Sequence, residues 1–123
     1  MRVIPFGLER SVSYGAGTAG GPAAMLEASA QVELFDEELW CEPCRSFRVE
    51  TMAEPSMPES IEAALDELSV ATGETLSAGA FPLVFGGEHS LTAGAIRPFV
   101  ERFPDLVLLH VDAHADLRDG YEG

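Results

Sequence analysis

Apolar residues recur along this chain with two periods, and the two divide it into alternating strand-like and helix-like segments. Val3 to Phe6 is a short apolar run, and Phe47 to Met52 alternates apolar with polar side chains as a half-buried strand does. Phe81 to Phe85 is a third strand candidate. Leu106 to Val111 has the length and β-branched content of a buried central strand. Between these runs the period lengthens. Pro58 to Leu76 carries Ile61, Ala64, Leu65, Leu68 and Ala71 at three- and four-residue spacing, with Glu59, Glu62, Asp66 and Glu67 opposite, which predicts an amphipathic helix ending before Gly79. Pro22 suits the first turn of a helix through Ala23 to Ala30, and Leu91 to Phe103 is a further helix in which Pro98 predicts a bend or an early stop. Val32 to Leu39 reads equally as a helix end or an extended segment. Strands alternating with helices predict an α/β fold with a mostly parallel sheet, right-handed crossovers and a site outside the strands' carboxyl ends. No interdomain linker appears, so residues 1–123 form part of one domain.

Two polar stretches carry candidate chemistry. The central strand candidate empties into Asp112, His114 and Asp116, which alternate with alanine. In extended chain residues two apart point the same way, so this spacing sends two carboxylates and an imidazole to one side. A divalent cation satisfies such a group economically. The pair Gly86-Gly87 follows the Phe81 to Phe85 strand and places His89 at its carboxyl end; glycines there allow a close backbone approach or a positive φ. By itself His89 reads equally well as a satisfied loop histidine.

Composition narrows the partners. Of 123 residues, 46% are apolar and 23% charged, and Asp plus Glu outnumber Lys plus Arg by 21 to 7, a net charge of −14. That balance is globular, argues against a nucleic-acid footprint and favours a cationic ligand. The start has no apolar run of signal-peptide length and no stretch suggests a membrane span, so a cytoplasmic protein is expected. The glycines between Gly7 and Gly21 lack both the dinucleotide fingerprint and a P-loop lysine, which leaves no nucleotide cradle. Cys41 and Cys44 form one CxxC without further ligands at zinc spacing, and are read as two reduced loop cysteines.

The segment His110-Val-Asp-Ala-His-Ala-Asp-Leu-Arg-Asp119 resembles the second metal motif of the ureohydrolases, the arginase and agmatinase family, and Gly86-Gly-Glu-His-Ser90 resembles the first. The opening, from a proline-containing strand through Ser13-Tyr14 and Gly17-Thr18 to Gly21-Pro22-Ala23-Ala24, is similar to the agmatinase start. It departs in lacking a basic residue between Ala16 and Ala19 and in having Met25-Leu26 for an Ile-Arg pair.

The resemblance implies a three-layer αβα fold and two Mn²⁺, with Fe or Zn as alternatives. It makes His89 and His114 ligands of different metals, Asp112 the bridge, and Asp116 a companion of His89. The position matching His110 is not a ligand in the family, and His110 is expected in the core or behind the ligands. Glu88 stands beside the ligand and is expected to orient the turn rather than act as an acid. The family's later Ser-x-Asp-x-Asp motif, with two further carboxylate ligands, does not occur here, nor do the residues expected to shuttle protons. The chain is therefore expected to be the amino-terminal portion of an enzyme, inactive alone, whose full-length parent is a homo-oligomer hydrolysing a small cationic guanidino compound. The tail containing Arg118, Asp119 and Glu122 resembles the agmatinase loop, which favours agmatine over arginine. Guanidinobutyrase, arginase or formiminoglutamase activity, a zinc deacetylase-like amidohydrolase and a non-catalytic truncated domain are the competing readings.

Overall fold

The computed structural model describes residues 1–117. Three strands, β1 (Arg2–Phe6), β2 (Glu50–Thr51) and β3 (Pro82–Gly86), form a parallel sheet in the order β2-β1-β3. Helix α1 (Gly21–Ser29) lies between β1 and β2, α2 (Ile61–Ser77) between β2 and β3, and α3 (Thr92–Arg102) follows β3. The crossovers from β1 to β2 and from β2 to β3 run in opposite directions along the sheet. Right-handed connections therefore put α1 and α2 on opposite faces, the αβα arrangement expected. No helix among the described residues is long and apolar enough to cross a membrane.

Each element has a local cause. Ser60 caps α2: its hydroxyl accepts the Ala63 N–H and donates to Glu62. Substituting Ser60→Ala is expected to destabilise the chain by about 1 kcal/mol, read as a lower urea midpoint at unchanged slope. Pro5 lies in the central strand, where a missing N–H would break a ladder, but pairing with β2 stops at Val3, so no donor is wanted on that side. Pro98 does not stop α3, which runs through it to Arg102. The proline ring lies against Gly73 of α2, where a Cβ would stand 3.5 Å from it.

Ile4, Phe6, Leu8, Ala64, Leu65, Leu68, Ala71 and Leu91 make the core, from β1, the apolar face of α2 and the turn after β3. Thr72 and Thr75 are buried on the same helix, their hydroxyls donating to the carbonyls of Leu68 and Ala71.

The strand expected at Leu106 to Val111 does not form. Those residues are irregular and open to solvent, Val107 being 88% and Val111 89% exposed. A strand is stable only as one side of a hydrogen-bond ladder, and among the described residues β3 pairs only with β1. The expected strand at 47–52 shrinks to Glu50–Thr51, and Val32 to Leu39 is mostly irregular with a single antiparallel bridge, Asp36 to Cys41. Cys41 and Cys44 are free and exposed. Arg118, Asp119 and Glu122, on which the substrate preference rests, lie outside the described residues.

Candidate metal centre

β3 delivers the first motif to the sheet's carboxyl edge. Neither Gly86 nor Gly87 has the positive φ found at Gly15, Gly17 and Gly79. Close approach explains both. A Cβ on Gly87 would stand 2.2 Å from the Leu8 carbonyl oxygen and one on Gly86 2.1 Å from the Leu91 side chain. The backbone then knits to the loop after β1, with Gly87 N–H donating to Phe6 O and Glu88 N–H to Leu8 O. His89 opens a 3-10 turn, His89–Leu91, that feeds directly into α3.

The Asp112 carboxylate lies over that turn, Oδ2 being 2.9 Å from His89 Nδ1 and 3.6 Å from His110 Nε2. Asp116 Oδ2 is 3.6 Å from the same His89 nitrogen. Ligand atoms of His89, His110, Asp112 and Asp116 all lie within 4.8 Å of one another. His114 stands just outside this group, its Nδ1 3.8 Å from Asp112 Oδ1 and its side chain 82% exposed.

The alternation expected to aim Asp112, His114 and Asp116 together is broken by the chain itself. Asp112 Oδ1 accepts the His114 N–H at 2.8 Å, an Asx-type turn, and Asp116 takes a left-handed φ of 51°. The two carboxylates consequently converge while the imidazole between them swings aside. His110, expected in the core or behind the ligands, is instead exposed and inside the group. Its signal in the sequence was its parity with Asp112, which the bend after Asp112 leaves intact.

The electrostatics suit a cation. The hydrogen bond that the His89 ring makes to Asp112, with the nearby Asp116 charge, raises the His89 pKa above its ordinary value. The His114 N–H and the His89 ring hold Asp112 down at about 2. Two carboxylates and two imidazoles without a thiolate suit Mn, Fe or Zn rather than a soft metal.

A cavity of about 710 Å³ opens beside the group, lined by Ser11, Ser13, His89, His114, Ala115, Asp116 and Leu117. Ser11 and Ser13 come from the glycine-rich loop after β1. Carboxylates rather than regular structure hold that loop: Glu54 accepts Gly7 N–H, and Glu9 accepts Gly17 N–H, Ala19 N–H and the Thr18 hydroxyl. The backbone N–H groups of Ala19 and Gly17 lower the Glu9 pKa. Burial pushes the Glu88 pKa up, but hydrogen bonds from Ser90, Ser11 and Arg10 outweigh it and bring it to about 2.

Comparison with known proteins gives the chain a family. The N(1)-aminopropylagmatine ureohydrolase of Synechocystis sp. is 33% identical over 98% of this chain, and the agmatinase of Bacillus anthracis 34% identical over 98%. The chain spans 42% of the length of each. The agmatine ureohydrolase of Thermoplasma volcanium superposes with a TM-score of 0.87 at 27% identity, covering 99% of this chain and 40% of that one. A putative agmatinase from Clostridium difficile gives a TM-score of 0.88 at 24% identity over 98% of this chain and 44% of its own, a likeness of fold. The sequence profile of the arginase family matches residues 1–123, and the chain belongs to that family.

Proposed function

We propose that this chain carries metal-binding elements of a hydrolase that cleaves a guanidino compound, with agmatine, yielding putrescine and urea, as the favoured substrate. The observation that carries the reading is the convergence of His89, His110, Asp112 and Asp116 within 4.8 Å beside an open cavity. Relatives named for agmatine and for N(1)-aminopropylagmatine match with nearly equal identity, so the aminopropyl compound is the second reading. Putrescine as product would place the whole protein in polyamine biosynthesis.

His89, His110, Asp112 and Asp116 would hold a divalent ion, Mn²⁺ in this proposal, and His114, 3.8 Å from Asp112, would be a ligand of a second. Bound divalent ions supply Lewis acidity, lowering the pKa of water from 15.7 to about 7. The residues of the chain do the rest of what can be assigned. The net charge of −14 aids capture of a cation, and screening beyond about 8 Å makes that a rate effect. Ser11 and Ser13 supply polar groups to the cavity lining.

Titrating the chain with Mn²⁺, followed by loss of the free-ion electron paramagnetic resonance signal, is expected to show saturable binding. Binding no stronger than in a His89→Ala, Asp112→Ala double variant would overturn the metal reading. Urea release by the whole protein from agmatine, N(1)-aminopropylagmatine, arginine and 4-guanidinobutyrate then settles the substrate. A kcat/KM tenfold higher for arginine or guanidinobutyrate would overturn the choice of agmatine.

A further inference from the structure

We propose that Glu88 is a positioning residue that locks the serine wall of the cavity to the His89 turn and sets the hydrogen-bonding polarity of Ser11. The inference rests on the metal-binding reading above and assigns a role in it to a side chain that is not a ligand. Glu88 is 7% exposed and does not line the cavity, so it meets neither substrate nor ion. Its Oε2 accepts Arg10 N–H at 2.6 Å and Ser11 N–H at 2.7 Å, and its Oε1 accepts the Ser11 hydroxyl at 2.7 Å and the Ser90 hydroxyl at 2.5 Å. A carboxylate offers about four lone-pair sites, and four donors fill them. No acceptor capacity is left for a reacting proton, which excludes a role as catalytic base.

The donors come from two places in the chain. Arg10 and Ser11 lie 78 and 77 residues from Glu88, in the loop after β1, whereas Ser90 belongs to the turn carrying His89. Glu54 and Glu9 fix that loop at Gly7 and at Gly17 to Ala19. Glu88 alone among these carboxylates holds the middle, where the backbone turns toward Ser13. Charge-assisted bonds of this kind are roughly twice as strong as neutral ones.

The bond to Ser11 has a chemical consequence. A hydroxyl has one proton, and Glu88 takes it, so toward the cavity Ser11 Oγ can present only lone pairs. At Ser11 the wall therefore accepts hydrogen bonds and suits a substrate rich in N–H donors, as guanidinium and ammonium groups are. A carboxylate or phosphate would meet an acceptor there.

The test compares the 123-residue chain with Glu88→Gln and Glu88→Asp, using amide hydrogen exchange, Mn²⁺ titration and thermal melting. Glu88→Gln preserves shape and loses the charge. It is expected to keep a cooperative melt while the Arg10 and Ser11 amides exchange at least tenfold faster and Mn²⁺ affinity falls about tenfold, in the range for residues that orient ligands. Glu88→Asp keeps the charge and loses reach; it should recover part of the Mn²⁺ affinity and, should Glu88→Gln not fold, carries the exchange comparison. Wild-type exchange at Arg10 and Ser11 in both variants would overturn the clamp. A fall in melting temperature with unchanged Mn²⁺ affinity would reduce Glu88 to a structural role and overturn the positioning. Should the wild-type chain itself not bind Mn²⁺, the metal reading fails, and exchange at Arg10 and Ser11 still decides whether the clamp exists.

Discussion

Substituting Gly94→Val is expected to destabilise the fold by about 3 kcal/mol, at the upper end of what forcing atoms into a packed contact costs. A Cβ at residue 94 would stand 2.6 Å from the Leu65 carbonyl oxygen, 3.1 Å from its Cα and 3.2 Å from its carbonyl carbon. All three are backbone atoms of α2, so no side chain can turn away to make room. The helices would have to separate, opening the contact that also buries Leu65 and Leu68. Leaving glycine gains helix propensity of under about 1 kcal/mol, too little to offset the overlap. For a chain of this size the melting temperature should fall by on the order of 10 °C. An unchanged melt would show that α2 and α3 do not meet backbone to backbone at Gly94.

Replacing Asp112 should cost far more metal affinity than replacing Asp116. Asp112 faces three imidazoles: His89 at 2.9 Å, His110 at 3.6 Å and His114 at 3.8 Å. It also shapes its own loop by accepting the His114 N–H. Among the described residues Asp116 pairs only with His89, at 3.6 Å. Asp112→Asn removes a charge from the middle of the group and puts an amide donor where an acceptor is needed, whereas Asp116→Asn removes a charge from its edge. The expected difference in Mn²⁺ dissociation constant is at least tenfold, or about 1.4 kcal/mol. Equal losses in the two variants would sink the central placement of Asp112.

Much of the site was legible because ligand chemistry resides in residue type. Histidine and aspartate at close spacing, after an apolar run and after a Gly-Gly turn, mark residues able to hold a metal before any fold is known. Which histidine joins which carboxylate was not legible. Strand parity assumes extended backbone, and the Asp112 carboxylate, by capturing the His114 N–H, cancels that assumption two residues on. The Glu88 clamp was equally hidden, since two of its four donors are backbone N–H groups 78 and 77 residues away, which carry no sequence signal.

By itself the sequence determined the amphipathic face of α2, the helix opening at Pro22, the parallel α/β plan and the residues able to hold a metal, because each depends on neighbours within a few positions. Tertiary structure alone decided three things. It decided that Gly86 and Gly87 serve close approach rather than positive φ, because the atoms they avoid belong to Leu91 and Leu8. It decided that Ser11 and Ser13 line one cavity with His89 and Asp116, because Glu54 and Glu88, distant in sequence, help hold their loop. It also decided that Leu106 to Val111 is not a strand among the described residues: apolar pattern supplies the face of a strand, but a ladder needs an adjacent edge to receive its hydrogen bonds.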